Sequence, residues 1–168
     1  MPLLHRTALA VALLAVAPLA SAAQATDQFD VKITITNACN VTASDMTFPN
    51  TSSLASTSVT ATSNVAVACS NKGAFSVAFN KGLDVTASLA SRKMGNGAGS
   101  SVNYSLYRDS AHSELLGDGS SESSVTLGGT STGNNTADNF TIYGLVPSGQ
   151  GDKPTGAYSD TVTATVTF

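Results

Sequence analysis

Few residues of this chain could carry out catalysis, and those that could lie around His112. Asp109, Ser110 and Ser113 flank this histidine within a segment whose composition is typical of a turn. A Ser–His–Asp triad can be drawn from these residue types, but such a site depends on a geometry that sequence spacing does not supply. In a chain this rich in serine, such neighbours arise by chance. We therefore interpret His112 as a solvated loop residue and predict that the protein has no catalytic residue.

Metal ions and cofactors are not predicted either. Residues 94–101, MGNGAGSS, resemble a phosphate-binding loop only in their glycines, because no strong strand leads into them and no helical pattern follows. They also lack a following Lys-Ser or Lys-Thr pair. Asp118 and Asp152 lie in glycine-rich segments, but the acidic residues lack the repeated spacing of a calcium loop. We expect no metal site, no nucleotide site and no cofactor.

The two cysteines are best explained by export of the chain. Residues 1–23 are typical of a secretory signal, with a positively charged start, an apolar run at residues 9–19 and small residues at 20–23 that suit cleavage. Disulfides form and persist in oxidising compartments, so we expect Cys39 and Cys69 to be bonded to each other. Closing a loop of about 31 residues would restrict the unfolded chain by roughly 3.5–4 kcal/mol in the entropy model.

The exported part of the chain is acidic. One of the eight Lys and Arg residues is Arg6 in the signal segment, so seven remain against eleven Asp and Glu, which gives a net charge of −4. This balance argues against a nucleic acid or an anionic membrane as partner. Charged residues are only 11% of the chain, and a surface rich in hydroxyl groups suits strands better than exposed helices.

Short stretches of alternating apolar residues predict an all-β fold. Residues 59–69 and 75–79 are two such stretches, and the Asn71-Lys72-Gly73 segment between them indicates a β-hairpin. Further strands are predicted at residues 41–48, 85–89 (weakly), 102–108, 123–127, 140–147 and 158–168, with a loop at 128–138. Seven or so short strands joined by turns are typical of a β-sandwich.

The two ends of the exported chain carry the most regular patterns. Near the start, DQFDVKITIT at residues 27–36 places four apolar side chains on one face of a strand: Phe29, Val31, Ile33 and Ile35. At the end, YSDTVTATVTF alternates threonine with an apolar series: Val162, Ala164, Val166 and Phe168. These segments could pair within one domain. Alternatively, the final strand leaves a sheet edge open, which is a template for another chain.

Taken together, these motifs resemble the spore-coat-U-like (SCPU) pilin family, the subunits of archaic chaperone–usher pili. The resemblance covers essentially the whole exported chain. Its features are, in order, the signal segment, the alternating leader DVKITIT, Cys39 followed by the segment ending at Phe48, Cys69 followed by FSVAF, NYSLYRD at residues 103–109, and the terminal GAYSDTVTATVTF.

The resemblance implies an incomplete immunoglobulin-like β-sandwich that lacks its last strand and is completed by a donor strand from a neighbouring subunit. The chain would then consist of a signal peptide at residues 1–23, a donor segment at 24–36 and a pilin domain at 37–168. The boundary between donor and domain falls between Ile33 and Ala38. The inserted side chains would be Phe29, Val31, Ile33 and Ile35, and the edge of the acceptor groove would be Val162, Ala164, Val166 and Phe168.

The implied partners are identical or related pilin subunits, with a periplasmic chaperone and an outer-membrane usher acting during assembly. The protein would cross the periplasm and end in an extracellular pilus on the bacterial surface. Three other interpretations stay open from the sequence. They are a minor or adaptor subunit of the same pilus, a self-complete secreted sandwich that acts as a binding module, and a small hydrolase that uses His112.

Overall fold

The computed structural model describes residues 23–168. The signal segment expected at residues 1–23 lies outside this part of the chain, except for Ala23. The described residues divide into two units, which are residues 23–34 and residues 35–168. The first unit contains no helix and no strand, and its apolar side chains Phe29, Val31 and Ile33 are 86%, 84% and 87% exposed.

The second unit contains eight β-strands and no α-helix. The strands are β1 (Cys39–Ala43), β2 (Val59–Cys69), β3 (Ala74–Phe79), β4 (Arg92–Gly95), β5 (Ser101–Tyr107), β6 (Leu127–Thr130), β7 (Ala137–Val146) and β8 (Ala164–Thr167). No helix within residues 23–168 is long and apolar enough to cross a membrane.

These strands form two antiparallel sheets. One has five strands in the order β1-β2-β7-β5-β4, and the other has three in the order β6-β3-β8. The chain therefore folds as an immunoglobulin-like β-sandwich, as predicted, with the apolar faces of the sheets turned toward a shared core.

The core follows from the period-two pattern of the strands. Val65, Val67 and Cys69 on β2 are fully buried, and Phe75 and Val77 on β3 are 6% or less exposed. β5 contributes three more buried side chains, Val102, Tyr104 and Leu106. Each fully buried apolar side chain stabilises the fold by about 1.5–3 kcal/mol, so this cluster is the main support of the sandwich.

The predicted hairpin between β2 and β3 is wrong. β2 pairs with β1 and β7, whereas β3 pairs with β6 and β8, so residues 70–73 carry the chain from one sheet to the other as an arch. Val65, Val67 and Cys69 on β2 and Phe75 and Val77 on β3 form buried apolar faces. These faces gain more by meeting across the core than by lying side by side in one sheet. We call this end of the sandwich the arch end.

The strand predicted at residues 85–89 is also wrong. The Asp84 carboxylate accepts a hydrogen bond from Thr86 N at 2.7 Å, and Ala87 N donates to Asp84 O at 3.1 Å, so the backbone turns here. A short acidic side chain that satisfies its own backbone two residues on is typical of a turn. Val85 is consequently 86% exposed, although Leu89 is buried.

The strand predicted at residues 123–127 is displaced toward the C-terminus. β6 spans Leu127–Thr130 and so includes two glycines that we had assigned to a loop. A Cβ atom on Gly128 would lie 2.6 Å from the carbonyl oxygen of Phe75. Only glycine permits this close approach of β6 to β3, which explains why a residue typical of loops lies within a strand.

The last strand is shorter than its sequence pattern predicts. Residues 158–168 alternate throughout, but β8 covers only Ala164–Thr167. β3 is the neighbour of β8 within the described chain, and β3 ends at Phe79, opposite Ala164. Regular pairing stops where the partner strand stops.

The expected disulfide is confirmed. Cys39 and Cys69 are bonded to each other and are also paired residues of β1 and β2. The bond therefore lies at the arch end, where the leader joins the sandwich. β8 finishes at this same end, because Thr167 pairs with Ser76 near the start of β3.

Candidate functional site

The final strand presents a row of backbone groups along an open sheet edge. Asn80 N donates to Thr163 O at 3.1 Å. In an antiparallel ladder, alternate residues turn their N–H and C=O groups toward the same neighbour. Those of Thr163, Thr165 and Thr167 therefore point toward β3. The N–H and C=O groups of Val162, Ala164 and Val166 point the other way, where the described chain supplies no neighbouring strand.

A groove runs beside this open edge and reaches the core. One part, of about 520 Å³, lies between the segment after β1 and the segment before β8, and core residues such as Phe79, Leu106 and Ile142 line it. A second part, of about 790 Å³, continues past Met46 and Phe48 toward Leu54 and Val146. Cα atoms of β1 and β8 lie within 8 Å of each other, although these two strands form no ladder.

The first wall of the groove is the segment that follows β1. Met46 and Phe48 on this wall are half-buried, and Phe48 packs edge-on against Tyr104 with ring centroids 6.3 Å apart. These two side chains lie over Gly144 of β7. A Cβ atom at Gly144 would lie 2.3 Å from Met46 Sδ and 2.8 Å from a ring carbon of Phe48. The absence of a side chain at Gly144 therefore sets the position of this wall.

The second wall is the segment before β8, and one isolated backbone bridge together with side-chain contacts holds it in place of a strand ladder. Ser159 exchanges backbone hydrogen bonds with Gly95 at 2.9 and 3.0 Å. Thr163 N donates to Asn80 Oδ1 at 2.9 Å. Asp160 joins this wall to the groove floor, because its carboxylate accepts from Tyr104 Oη at 2.7 Å and from Leu83 N at 2.9 Å.

The floor of the groove contains a buried polar network. Burial raises the pKa of the Tyr104 phenol, and its hydrogen bond to Asp160 raises it further, so Tyr104 is a neutral donor over the physiological range. Nearby, the fully buried Arg92 donates to the backbone carbonyls of Asn80, Leu89 and Leu116 at 2.8–3.0 Å. Burial lowers the pKa of Arg92, but three carbonyl acceptors satisfy its guanidinium.

The predicted groove residues lie on one face of the last strand segment. Val162, Ala164 and Val166 are half-buried and alternate with exposed threonines, and Phe168 is 56% exposed. Their role as an acceptor edge stays a prediction. The predicted donor side chains are all exposed in the described chain: Ile35 is 74% exposed, and Phe29, Val31 and Ile33 are more exposed still.

Sequence reasoning missed most of the residues that shape the groove. Met46, Tyr104, Gly144 and Asp160 were not selected as site residues, although Phe48 belonged to a segment that carried the family resemblance. Two signals could have drawn attention to them. Gly144 is a glycine within the strand predicted at residues 140–147, and Asp160 is a lone acid in a Thr/Val segment.

The triad drawn around His112 has no support in the geometry. The Asp109 carboxylate accepts hydrogen bonds from Ser113 N, Ser113 Oγ and Glu114 N, so it caps the turn. The imidazole of His112 instead packs edge-on against Tyr107, with ring centroids 5.2 Å apart. Within residues 23–168, no cluster of His, Cys, Asp and Glu could hold a metal ion.

Comparisons with known proteins agree with this architecture. A family model described as Spore Coat Protein U domain matches residues 25–165. A search of curated proteins returned no match. Among solved structures, the chain is similar in fold to a chain of the CsuC-CsuE chaperone-tip adhesion subunit pre-assembly complex from archaic chaperone-usher Csu pili of Acinetobacter baumannii.

That structural match has a TM-score of 0.55 and 22% sequence identity. It covers 80% of this chain and 41% of the other chain, so the present chain spans less than half the length of that relative. At this identity the match supports the fold. The open edge and the groove beside it are what bear on function.

Proposed function

Because the chain belongs to the Spore Coat Protein U domain family, we propose that it is a structural subunit of an archaic chaperone–usher pilus and polymerises by donor-strand complementation. The observation that carries this proposal is the open edge of β8 beside a groove into the core. A sandwich in this state is one strand short. The missing strand would be supplied by residues 24–36 of a second copy.

The leader has the pattern that such an edge requires. Phe29, Val31, Ile33 and Ile35 alternate with polar residues, so all four side chains can point into the groove while the backbone pairs with β8. Ten extended residues span about 33 Å, which is comparable to the length of the segment from Tyr158 to Phe168. Burial of each apolar leader side chain would contribute about 1.5–3 kcal/mol.

The topology also favours growth into a linear fibre. The leader joins each sandwich at the arch end, next to Cys39, and β8 runs toward that same end. A donor strand antiparallel to β8 would therefore enter with its N-terminus at the arch end of the acceptor. The C-terminus of the donor strand would lie at the opposite end of the acceptor. The arch end of the copy that supplies the strand would lie there too. Each copy then uses two different ends for its two neighbours, as an open heterologous assembly requires.

This function implies assembly factors and a location. An apolar groove and an unpaired edge are prone to aggregation until they are covered, so a periplasmic chaperone would occupy them before an outer-membrane usher joins the subunits. The related chain named above was captured together with a chaperone. The subunit would be exported through the periplasm to an extracellular pilus. In this function it needs no catalytic residue and no cofactor.

Deletion of residues 24–36 tests the proposal. The full exported chain and a version that starts at Asn37 are each co-expressed with the matching chaperone and usher. The full chain should give ladders that resist SDS without heating and fibres by electron microscopy, and the shortened chain should remain a chaperone-bound monomer. A point variant with a matched control refines the test, since Ile33→Asp should block assembly and Thr34→Asp, on the other face, should not.

The opposite result has a clear meaning. If both versions are stable monomers without a chaperone, the sandwich closes on itself and the proposal is wrong. The protein would then be a self-complete secreted module.

A further inference from the structure

The junction between leader and sandwich is fixed by a set of polar contacts at the arch end. Asn71 Nδ2 donates to Thr36 O at 3.0 Å, and Asn71 N donates to Asn37 Oδ1 at 3.0 Å. One residue on, Ser70 N donates to Ala38 O at 2.8 Å, and Ala38 N donates to Ser70 Oγ at 3.1 Å. We call Thr36, Asn37, Ala38, Ser70 and Asn71 the exit clamp.

The exit clamp leaves little freedom to the backbone it holds. The disulfide between Cys39 and Cys69 follows at once and ties the same two segments together covalently. On the other side, a Cβ atom at Gly73 would lie 3.1 Å from Asn37 Nδ2, so the arch packs closely against the Asn37 side chain. The chain is thus anchored continuously from Thr36 onward.

The backbone conformation at the clamp does not reverse the chain. None of Thr36, Asn37 and Ala38 adopts a positive φ, and no turn is present at these residues. Tight two- and three-residue hairpin loops with a strand on each side usually need a residue with positive φ. The clamped conformation is therefore incompatible with a hairpin between the leader and β1.

Such a hairpin is what self-complementation would require. The part of the groove beside the open edge lies between residues 43–48, at the end of β1 and beyond it, and residues 158–164, before and at the start of β8. From the leader's exit, it is reached only by running back along β1. To enter it, the leader would have to reverse within residues 36–38 and run antiparallel to β1. Each copy would then fill its own groove and have no free strand for a neighbour.

We propose that the exit clamp keeps the leader out of its own groove and so commits it to the groove of a second copy. This inference rests on the proposed function, because it concerns which copy receives the donor strand. Asn37 and Asn71 are the positioning residues, since their side chains hold the backbone at Thr36 and at the arch. The leader donated to the neighbour then ends at Thr36, and the sandwich begins at Asn37.

Two variants release the leader in different ways. Asn37→Ala with Asn71→Ala removes the side-chain contacts of the clamp. An insertion of about six flexible Gly, Ser and Asn residues between Ile35 and Thr36 leaves every clamp contact intact but lets the leader reverse upstream. The matched control is Asn64→Ala with Asn139→Ala, which removes another asparagine pair, bonded at 3.1 Å on the exposed face of the sheet.

Trypsin provides the readout, because Lys32 is an exposed cleavage site within the leader. Dilute monomers of the full exported chain, freed of chaperone, are digested and followed by mass spectrometry. Fibre yield with chaperone and usher is measured in parallel. We expect wild-type and control monomers to be cut quickly after Lys32. Both release variants should be cut about tenfold more slowly, since the leader is now docked, and should give fewer fibres.

Three results would overturn the inference. The first is a wild-type monomer whose Lys32 is already protected. The second is that both release variants fold, are cut after Lys32 as fast as wild type and give the same fibre yield as wild type. The third concerns the case in which the double-alanine variant does not fold. The insertion variant then decides alone, and cleavage and fibre yield equal to those of wild type would contradict the role of the clamp. Failure of the proposed function looks different, because then wild type itself would form no fibres.

Discussion

The three-stranded sheet has two edges, and they differ in what a strand added beside them would contact. β6 and β8 flank β3 on opposite sides, and each is four residues long. Along β6, Leu127 is buried, but Gly128, Gly129 and Thr130 are exposed. A strand added beside β6 would gain backbone hydrogen bonds, and it would find almost no side chains to pack against.

The β8 edge differs in what lies beside it. Its half-buried residues Val162 and Ala164 border a groove whose floor is the core itself. A strand added there would make the same backbone hydrogen bonds and would also bury its apolar face. The comparison teaches that an open edge becomes a specific docking site when the core opens next to it, because burial supplies most of the free energy.

The largest expected effect comes from blocking the outward backbone groups of each edge with proline. Ala164→Pro removes an N–H that points away from β3, so β8 keeps its ladder to β3 but cannot donate to an added strand. We expect fibre yield to fall by about tenfold or more, because about two backbone hydrogen bonds between β8 and the added strand are lost or displaced. Electron microscopy and SDS-resistant ladders measure the yield.

The matched control for this change is Thr130→Pro on β6. The backbone N–H and C=O groups of Ser76 and Ala78 on β3 point toward β8, so those of Phe75 and Val77 point toward β6. Phe75 pairs with Gly129 of β6, and the N–H of the next residue, Thr130, therefore points outward. Fibre yield should be unchanged in this variant. Equal loss of fibres in both variants would contradict the difference between the two edges.

A smaller effect is expected from adding a methyl group under the groove wall. Gly144→Ala forces Met46 and Phe48 to move, because the new Cβ would overlap both side chains. Overpacking of this kind destabilises by about 1–3 kcal/mol and here would also displace the first wall of the groove. The urea concentration at the unfolding midpoint, measured on the monomer freed of chaperone, and the fibre yield should both decrease.

The β6 edge again offers the control. Gly129 has no atom within 4 Å of its ideal Cβ position, so Gly129→Ala should change stability by no more than about 0.5 kcal/mol. If Gly144→Ala behaves like Gly129→Ala, then Gly144 does not set the position of the groove wall.

The smallest expected effect is a pH dependence of the stability toward urea, which arises from Tyr104 in the floor of the groove. Burial raises the pKa of Tyr104 above its usual value of 10.0. A group whose pKa is raised on folding stabilises fully below its unfolded pKa, and this contribution is lost as pH rises from about 10 toward the folded value. Urea midpoints should therefore fall between pH 9 and pH 11 in wild type. In Tyr104→Phe the fall should be smaller, and an equal fall in both would exclude Tyr104 as its cause.

Much of the fold could be predicted because it depends on local patterns. The alternation in residues 59–69 and 75–79 identified β2, β3 and their buried faces correctly, since side chains of a strand alternate between its two sides. The signs of export indicated that Cys39 and Cys69 are bonded, and they are. The number of short strands gave the β-sandwich class, and the family resemblance gave its immunoglobulin-like form.

Most of the errors concern partners distant in sequence. The strand expected at residues 85–89 is the exception, because a local turn at Asp84 replaces it. A four-residue link such as residues 70–73 can close a hairpin or cross between sheets, and the sequence near it is compatible with both. The decision came from the two apolar faces meeting in the core. β6 was displaced for a related reason, because the need for glycine at residue 128 arises from the carbonyl of Phe75, more than fifty residues earlier.

By itself, the sequence determined some of the strands, β2 and β3 among them, which of their faces are apolar and where the leader pattern lies. Only the tertiary structure decided that β8 has an unpaired edge, that Gly144 and Asp160 hold the two walls of the groove, and that Asn71 holds the leader's exit at Thr36. The physical reason is that periodicity is a property of one strand. An open edge, a groove and a clamp are properties of several segments brought together by burial of the core.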